Sequence, residues 1–289
     1  MKIRLLLLIS LLPMFVLNCG RDDDIDTGNG NENGSGEEEV DPNDNLPALE
    51  TLKIMTYNIH SCNPPSRPGE ADVDAIAKVI KDANPDIVFF QEVDKNTGRN
   101  GNYNDQANEI AKKTGMNAQF FSARAQGSGF YGIATLTKYK IEEVKTYLLP
   151  KYPDLEQRVL GTAVIKLTAK ERILAAVIHL QHNSQENRLE QIAEVVKILK
   201  DEKLPVILGG DFNEKTTSAD FFEIFDNAFV RTCTGFDCPN TFPATNPSSI
   251  IDYLAFKPET AFTVSSHNII NETYASDHLP VVSVLTFRR

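Results

Sequence analysis

The stretch "PVILGGDFNE", residues 205–214, decides how this chain is read. Pro205 to Leu208 is a short apolar run bounded by breakers, which is the signature of a buried strand. The run passes through two glycines into Asp211, Phe212 and Asn213. A carboxylate at the end of a buried strand costs free energy unless a cation or hydrogen-bond donors meet it. Such partners must come to Asp211 from elsewhere in the chain.

Outward from that stretch the same arrangement recurs. "LKIMTYNIH" (52–60) alternates and is rich in β-formers, with Asn58 near its end. "DIVFFQE" ends in Glu92, and "ILAAVIH" ends in His179. "IDYLAF" opens on Asp252, and "SDHLP" sets Asp277 and His278 before the last apolar run, "PVVSVLTF". Further strands are expected at "AQFFSA", "YGIATLTKY", "VKTYLL", "RVLGTAVIKLT" and near "HNIIN". Asp72 is placed to cap a helix over "VDAIAKVIKDA", and "YNDQANEIAKKTG" reads as a helix ended by Gly115. "SQENRLEQIAEVVKILK" is amphipathic, with Leu189, Ile192, Val195, Val196 and Leu199 on one face, and a short helix is expected around 218–226. No repeat of fixed period is present. Strands outnumber helices and the helices fall between strand groups. An α/β fold of two sheets packed face to face with helices outside accommodates this pattern.

Any one polar residue at a strand end carries little meaning, since buried polar groups are usually satisfied structural ones. Recurrence on strand after strand points to metal-assisted hydrolysis. Hard carboxylate oxygens suit Mg²⁺, with Mn²⁺ as a substitute. Imidazoles suit acid/base work. Neutral amides can hold a phosphoryl oxygen without adding charge. Without a cation, the carboxylates of Glu92, Asp211, Asp252 and Asp277 would repel one another on converging.

In this order, "TYNIH", "QEVD", "GGDFNE", "IDYLAF" and "SDHLPV" resemble the motifs of the endonuclease/exonuclease/phosphatase superfamily, over roughly residues 50–289. The resemblance implies a four-layer α/β sandwich, two packed mixed β-sheets flanked by helices. It implies Glu92 as the principal Mg²⁺ ligand, with Asn58 and Asp277 nearby. Asp211 would orient or deprotonate the attacking water, and Asn213 would hold the scissile phosphate. His278, oriented by Asp252, would face the phosphate, and His179 would serve the leaving side. Arg158 matches a phosphate-contacting arginine of the nuclease branch, or is an exposed charge at a strand edge. Ile178 stands where many members have Thr, and no acid to orient His179 is evident. The chain has no Trp, which the inositol polyphosphate 5-phosphatase branch and the aromatic hairpin of bacterial sphingomyelinases carry. A phosphodiesterase is expected, nuclease-type first, with DNA or RNA as candidate substrates. A lipid- or small-molecule-directed phosphoesterase and a surface binding module that has lost catalysis stay open. The polar loop 93–106, with Lys95 and Arg99, either shapes the substrate entrance or is simply solvated.

The N-terminus reads separately. Lys2 and Arg4 precede an apolar run that is broken by Pro13 and too short to read as a membrane span. "VLNCG" resembles a bacterial lipoprotein box with Cys19 as the lipidated residue, although Asn18 departs from the small residue usual there; an ordinary secretory signal is the alternative. "GRDDDID" resembles an export signal to the outer surface of Gram-negative bacteria, or is a solvated acidic tether. Residues 1–19 are therefore read as signal peptide and lipobox, 20–48 as an acidic disordered linker, and 49–289 as the catalytic domain. A monomer anchored to the membrane of the cell envelope is expected. The acidity sits in the linker: residues 1–19 carry +2 and residues 20–50 sum to −10, leaving −3 for 51–289 out of −11 overall. The totals thus show none of the basic excess of a stoichiometric nucleic-acid binder. In an exported protein, Cys233 and Cys238, flanking a turn-like spacer, are expected to pair, whereas Cys62 has no evident partner.

Overall fold

A computed structural model of the protein describes residues 47–101 and 104–289. The expected signal peptide with Cys19 and nearly all of the acidic linker lie outside the described residues. Among the described residues no helix is long and apolar enough to cross a membrane.

The chain forms β1 (Thr51–Asn58), α1 (Val73–Ala83), β2 (Ile87–Lys95), α2 (Gln106–Thr114), β3 (Asn117–Gln126), β4 (Gly129–Thr137), β5 (Lys140–Leu148) and β6 (Val159–Lys166). It continues through β7 (Arg172–His179), α3 (Gln185–Leu199), β8 (Val206–Asp211), α4 (Ala219–Asp226), β9 (Val230–Arg231), β10 (Asp252–Lys257), β11 (Phe262–Ile269) and β12 (Val281–Phe287). The helix starts follow from local chemistry. The side chains of Asp72, Asp105 and Ser184 accept from the backbone N–H groups of Ala75, Asn108 and Asn187. Asn84 and Gly115 end α1 and α2 in the left-handed conformation.

Two six-stranded mixed sheets result, ordered β11-β12-β1-β2-β4-β3 and β5-β6-β7-β8-β10-β9. Each holds one parallel pair, β1 with β2 and β7 with β8, and α1 or α3 makes the crossover that such a pair requires. The order β1–α1–β2–α2–β3–β4 is repeated by β7–α3–β8–α4–β9–β10, an architectural repeat without a sequence period. Ile54, Phe89, Phe121 and Ile133 of the first sheet pack against Val159, Ala175, Ile207 and Leu254 of the second. On the outer faces, α1 and α2 cover Met55, Val88 and Leu136, while α3 and α4 cover Ile178, Leu208 and Tyr253. This is the four-layer sandwich.

The glycine pair of the opening stretch is explained by packing. A Cβ on Gly209 would stand 2.3 Å from the Phe89 ring of the facing sheet, and one on Gly210 2.3 Å from Ile178 O. The buried face of α3 differs from the apolar stripe expected. Ile192, Val195 and Leu199 are buried, but so are Asn187, Arg188 and Gln191. Asn187 and Gln191 donate to Pro150 O at 3.1 and 3.0 Å, and Arg188 Nε donates to Glu214 Oε2 at 2.9 Å. Burial is tolerated because each polar group is bonded. Cys233 and Cys238 are joined by a disulfide, and Cys62 is a buried free thiol.

The Phe89–Gly209 contact can be tested. Gly209→Ala should destabilise the protein by about 1–3 kcal/mol through overpacking. Combined with Phe89→Leu it should cost less than the two single changes summed, because the residues touch. Chemical denaturation of the four proteins measures this, and simple additivity would show that the contact does not limit residue 209.

Candidate active site

The parallel pairs set the site. Asn58 is the last residue of β1 and His179 the last of β7, and the adjoining β2 and β8 carry Glu92 and Asp211. Ile59 N donates to Gln91 O at 3.1 Å and Leu180 N to Asp211 O at 3.0 Å, so both pairs close in the same way. Asp252 lies opposite Asp211 in the β8–β10 ladder. Glu92 belongs to a bulge in which Gln91 and Glu92 stand against Ile133 alone, and it has φ 56°. Such left-handed backbone is costly for a residue other than glycine and re-aims the side chain. Asn213 is held similarly, at φ 51°.

The side chains of both sheets meet at Asn58. Its Nδ2 donates to Asp211 Oδ2 at 3.0 Å and to Glu92 Oε1 at 3.3 Å, while its Oδ1 accepts from His60 N at 3.1 Å. His278 Nδ1 donates to Asp252, 3.0 Å from Oδ2 and 3.2 Å from Oδ1. His278 Nε2 is 3.8 Å from Asp211 Oδ2 and His179 Nε2 is 3.6 Å from the same atom. Asp211 Oδ1 also accepts from Asn213 N at 2.8 Å, and Asn213 Nδ2 donates to Leu180 O at 3.1 Å. Asp277 is more open; its Oδ1 is 3.9 Å from His60 Nδ1. Arg158 is 3 % exposed, which removes the reading as a strand-edge charge. Its Nη1 donates to His179 Nδ1 at 3.0 Å and its Nη2 lies 3.2 Å from Glu156 Oε2. An arginine thus holds the ring nitrogen for which the sequence offered no acid.

The two imidazoles are driven apart by their neighbours. Burial opposes charge on His278, but Asp252 above all, with Asp211 and Asp277, outweighs it and pushes the pKa up to about 10. Burial, Arg158 and the charge of His278 push His179 well below its ordinary range. A guanidinium N–H can only donate, so Nδ1 of the neutral His179 accepts and its proton sits on Nε2, facing Asp211. Burial and the Asp252 charge raise Asp211 to about 7, with His278 and Asn58 acting in the opposite sense.

Several further side chains brace the site without a mark in the sequence. Thr241 Oγ1 donates to Asp252 Oδ2 at 2.6 Å, and the Phe242 ring packs on His278 at 4.7 Å. Ser276 Oγ donates to Asn58 O at 2.7 Å. Nothing in the spacing of these residues marks them. Arg188 was legible, since it lies on the helical face of Ile192, Val195 and Leu199; its Nη1 donates to Gln181 O and His182 O, bracing the turn after His179.

The donor set suits a hard divalent cation. Asp211, Asp252 and His278 offer ligand atoms within 4.8 Å of one another. Asp252 and His278 Nδ1 are committed to each other and to Thr241, whereas Glu92 accepts one bond from Asn58 and Asp277 is partly open to solvent. Oxygen donors of this kind, on side chains not consumed by structural bonds, match the preference of Mg²⁺ or Mn²⁺. Asn58, with its NH₂ turned toward the carboxylates, meets them as a donor.

Similar folds are found among solved structures. An endonuclease/exonuclease/phosphatase from Beutenbergia cavernae matches with a TM-score of 0.67 and 22% identity, over 83% of this chain and 72% of that one. A mannosyl-6-phosphatase of Bacteroides thetaiotaomicron matches with a TM-score of 0.65 and 18% identity, over 82% and 100%. The human Nocturnin catalytic domain with bound sulfate matches with a TM-score of 0.63 and 21% identity, over 84% and 96%. No curated protein matches significantly. The model of the Endonuclease/Exonuclease/phosphatase family matches residues 55–278, a span that holds every strand-end residue from Asn58 to His278. The chain belongs to that family of phosphoester hydrolases.

Proposed function

We propose that the protein is a Mg²⁺-dependent phosphodiesterase, nuclease-type in its first candidate substrates and anchored by lipid on Cys19 to the cell envelope of a Gram-negative bacterium. The observation that carries the reading is Asp211 standing between two imidazoles of opposite character, 3.6 Å from His179 and 3.8 Å from His278. Glu92 and Asp277 would hold the cation, with Asn58 steadying Glu92. When bound, the cation supplies Lewis-acid polarisation of a phosphoryl oxygen and offsets its negative charge.

Water attacks phosphorus as the bond to the leaving oxygen breaks. Asp211, with a pKa near neutrality, takes the proton of the water. His278, charged and held by Asp252, presents Nε2–H to a phosphoryl oxygen. His179 presents Nε2–H to the leaving oxygen, and its nearness to Asp211 gives the abstracted proton a path to that oxygen. Asn213 holds the phosphate. A second reading, a small phosphorylated sugar, is favoured by the net charge of −3 over residues 51–289, which offers a polyanion no attractive field. The structurally similar mannosyl-6-phosphatase acts within this fold.

The reading is tested by a hydrolysis screen of DNA, RNA, sphingomyelin, inositol phosphates, sugar phosphates and bis-p-nitrophenyl phosphate, each with Mg²⁺, Mn²⁺ or EDTA. Turnover undiminished by excess EDTA, or none on any ester with metal, would sink it. On the best substrate, His179→Ala and His278→Ala should each cut kcat by a factor on the order of 10²–10⁴. The double change should cost less than their product. Near-wild-type turnover with a lowered Tm would make either histidine structural.

Stability should carry the mark of His278. Its folded pKa, about 10, lies above the ordinary value of 6.5. Its contribution is therefore complete below the ordinary value and lost as pH rises through about 10. In EDTA, the Tm gap between wild type and His278→Gln should shrink across that window, and a widening gap would contradict the assignment. Cys19→Ser should release the protein from the membrane fraction; retention there would mean that lipid on Cys19 is not the anchor.

A further inference from the structure

Four residues other than glycine have left-handed backbone around the end of β1 and the bulge of β2. His60, Ser61 and Cys62 have φ 46°, 54° and 55°, and Glu92 has φ 56°. Each such conformation costs on the order of 1 kcal/mol and persists only where its surroundings enforce it. The enforcing groups are identifiable. Ser61 Oγ donates to Glu92 O at 3.2 Å and accepts from Arg99 Nη2 at 2.5 Å. The guanidinium is itself fixed by a fork on Asp94, at 2.9 and 2.8 Å. Gln106, at the start of α2, donates through Nε2 to Ser61 O at 2.7 Å and accepts through Oε1 from Asp94 N at 2.8 Å. Ser61, Asp94 and Gln106 are all buried. The hydrogen-bonded ring thus holds the backbone at Glu92 O and Asp94 N, directly after the bulge, and touches no group proposed to contact the phosphate.

We propose that Ser61, Arg99 and Gln106 are positioning residues that hold the Glu92 carboxylate in its strained setting, so that the affinity of the site for a divalent cation depends on them. The inference rests on the reading of Glu92 as a cation ligand. A rotation of Glu92 out of the left-handed region would re-aim its carboxylate away from Asn58 and undo the pairing between them.

Ser61→Gly separates positioning from folding. Glycine relieves the strain at φ 54° and so offsets part of the cost of the lost hydroxyl bonds, and a purely structural role predicts a change in Tm alone with unchanged metal affinity. Positioning predicts the same Tm behaviour with weaker metal binding. Calorimetric titration of the full chain in detergent with Mn²⁺ alone should show the Kd raised by about 10- to 100-fold, the range for removing a group that orients a ligand. Arg99→Gln should act in the same direction. Glu92→Gln is titrated alongside. If it weakens binding and Ser61→Gly does not, the positioning inference falls while the ligand assignment stands. If neither weakens binding, Glu92 is not a ligand and both fall.

Discussion

The bond from Asn58 Nδ2 to Asp211 Oδ2 joins the two sheets at their strand ends, beyond the apolar layer packed between them. Packed sheets stand about 10 Å apart, and that gap is filled by apolar side chains. Only where the strands end does the packing stop and leave room for polar groups from both sides. The constraint explains why functional residues sit at strand ends and why they come from distant parts of the chain. It also explains the choice of an amide. A neutral NH₂ can donate to Glu92 and Asp211 together, adding no charge that would need its own partner. With Thr241 bracing Asp252 and His278 charged beside it, a group of acids is held close without mutual expulsion.

The two histidines show how little burial alone determines. Both are nearly inaccessible, yet one is held charged and the other neutral. The difference lies in what faces Nδ1, a carboxylate for His278 and a guanidinium for His179. The same side chain is therefore a cation in one sheet and a neutral hydrogen-bond donor in the other, 3.8 and 3.6 Å from a shared carboxylate.

Much of this was legible in the sequence, because strand ends and helix caps are local events. Asp72, Gly115 and the apolar runs identify their elements by short-range chemistry, and the catalytic residue types follow directly on those runs. What escaped depends on contacts across the fold. Thr241 bonds to Asp252 through a loop whose sequence carries no periodicity, and β9 is two residues long. Arg158 stood open between a phosphate contact and an edge charge, because its partner His179 sits on a neighbouring strand, where only the register reveals it. Asn187, Arg188 and Gln191 interrupt the expected stripe of α3 since their partners, Pro150 and Glu214, lie in other segments. The bulge at Glu92 is a property of pairing with β4, and no single strand encodes it.

The last strand lies between β11 and β1, with Thr51 paired to Thr286. A chain made from its N-terminus therefore places β1 early but cannot complete the first sheet until nearly all of the polypeptide exists. Long-range closure of this kind is slow, and it leaves a strand edge open in the meantime. The catalytic group is subject to the same timing, because Asn58 and His278 are separated by 220 residues. During synthesis a chain completed only through β8 has Glu92, His179 and Asp211 but neither Asp277 nor His278. The polar group at the strand ends is thus complete only with the final segment, and a C-terminal truncation that spares ten of the twelve described strands loses His278 and with it the partner of Asp252.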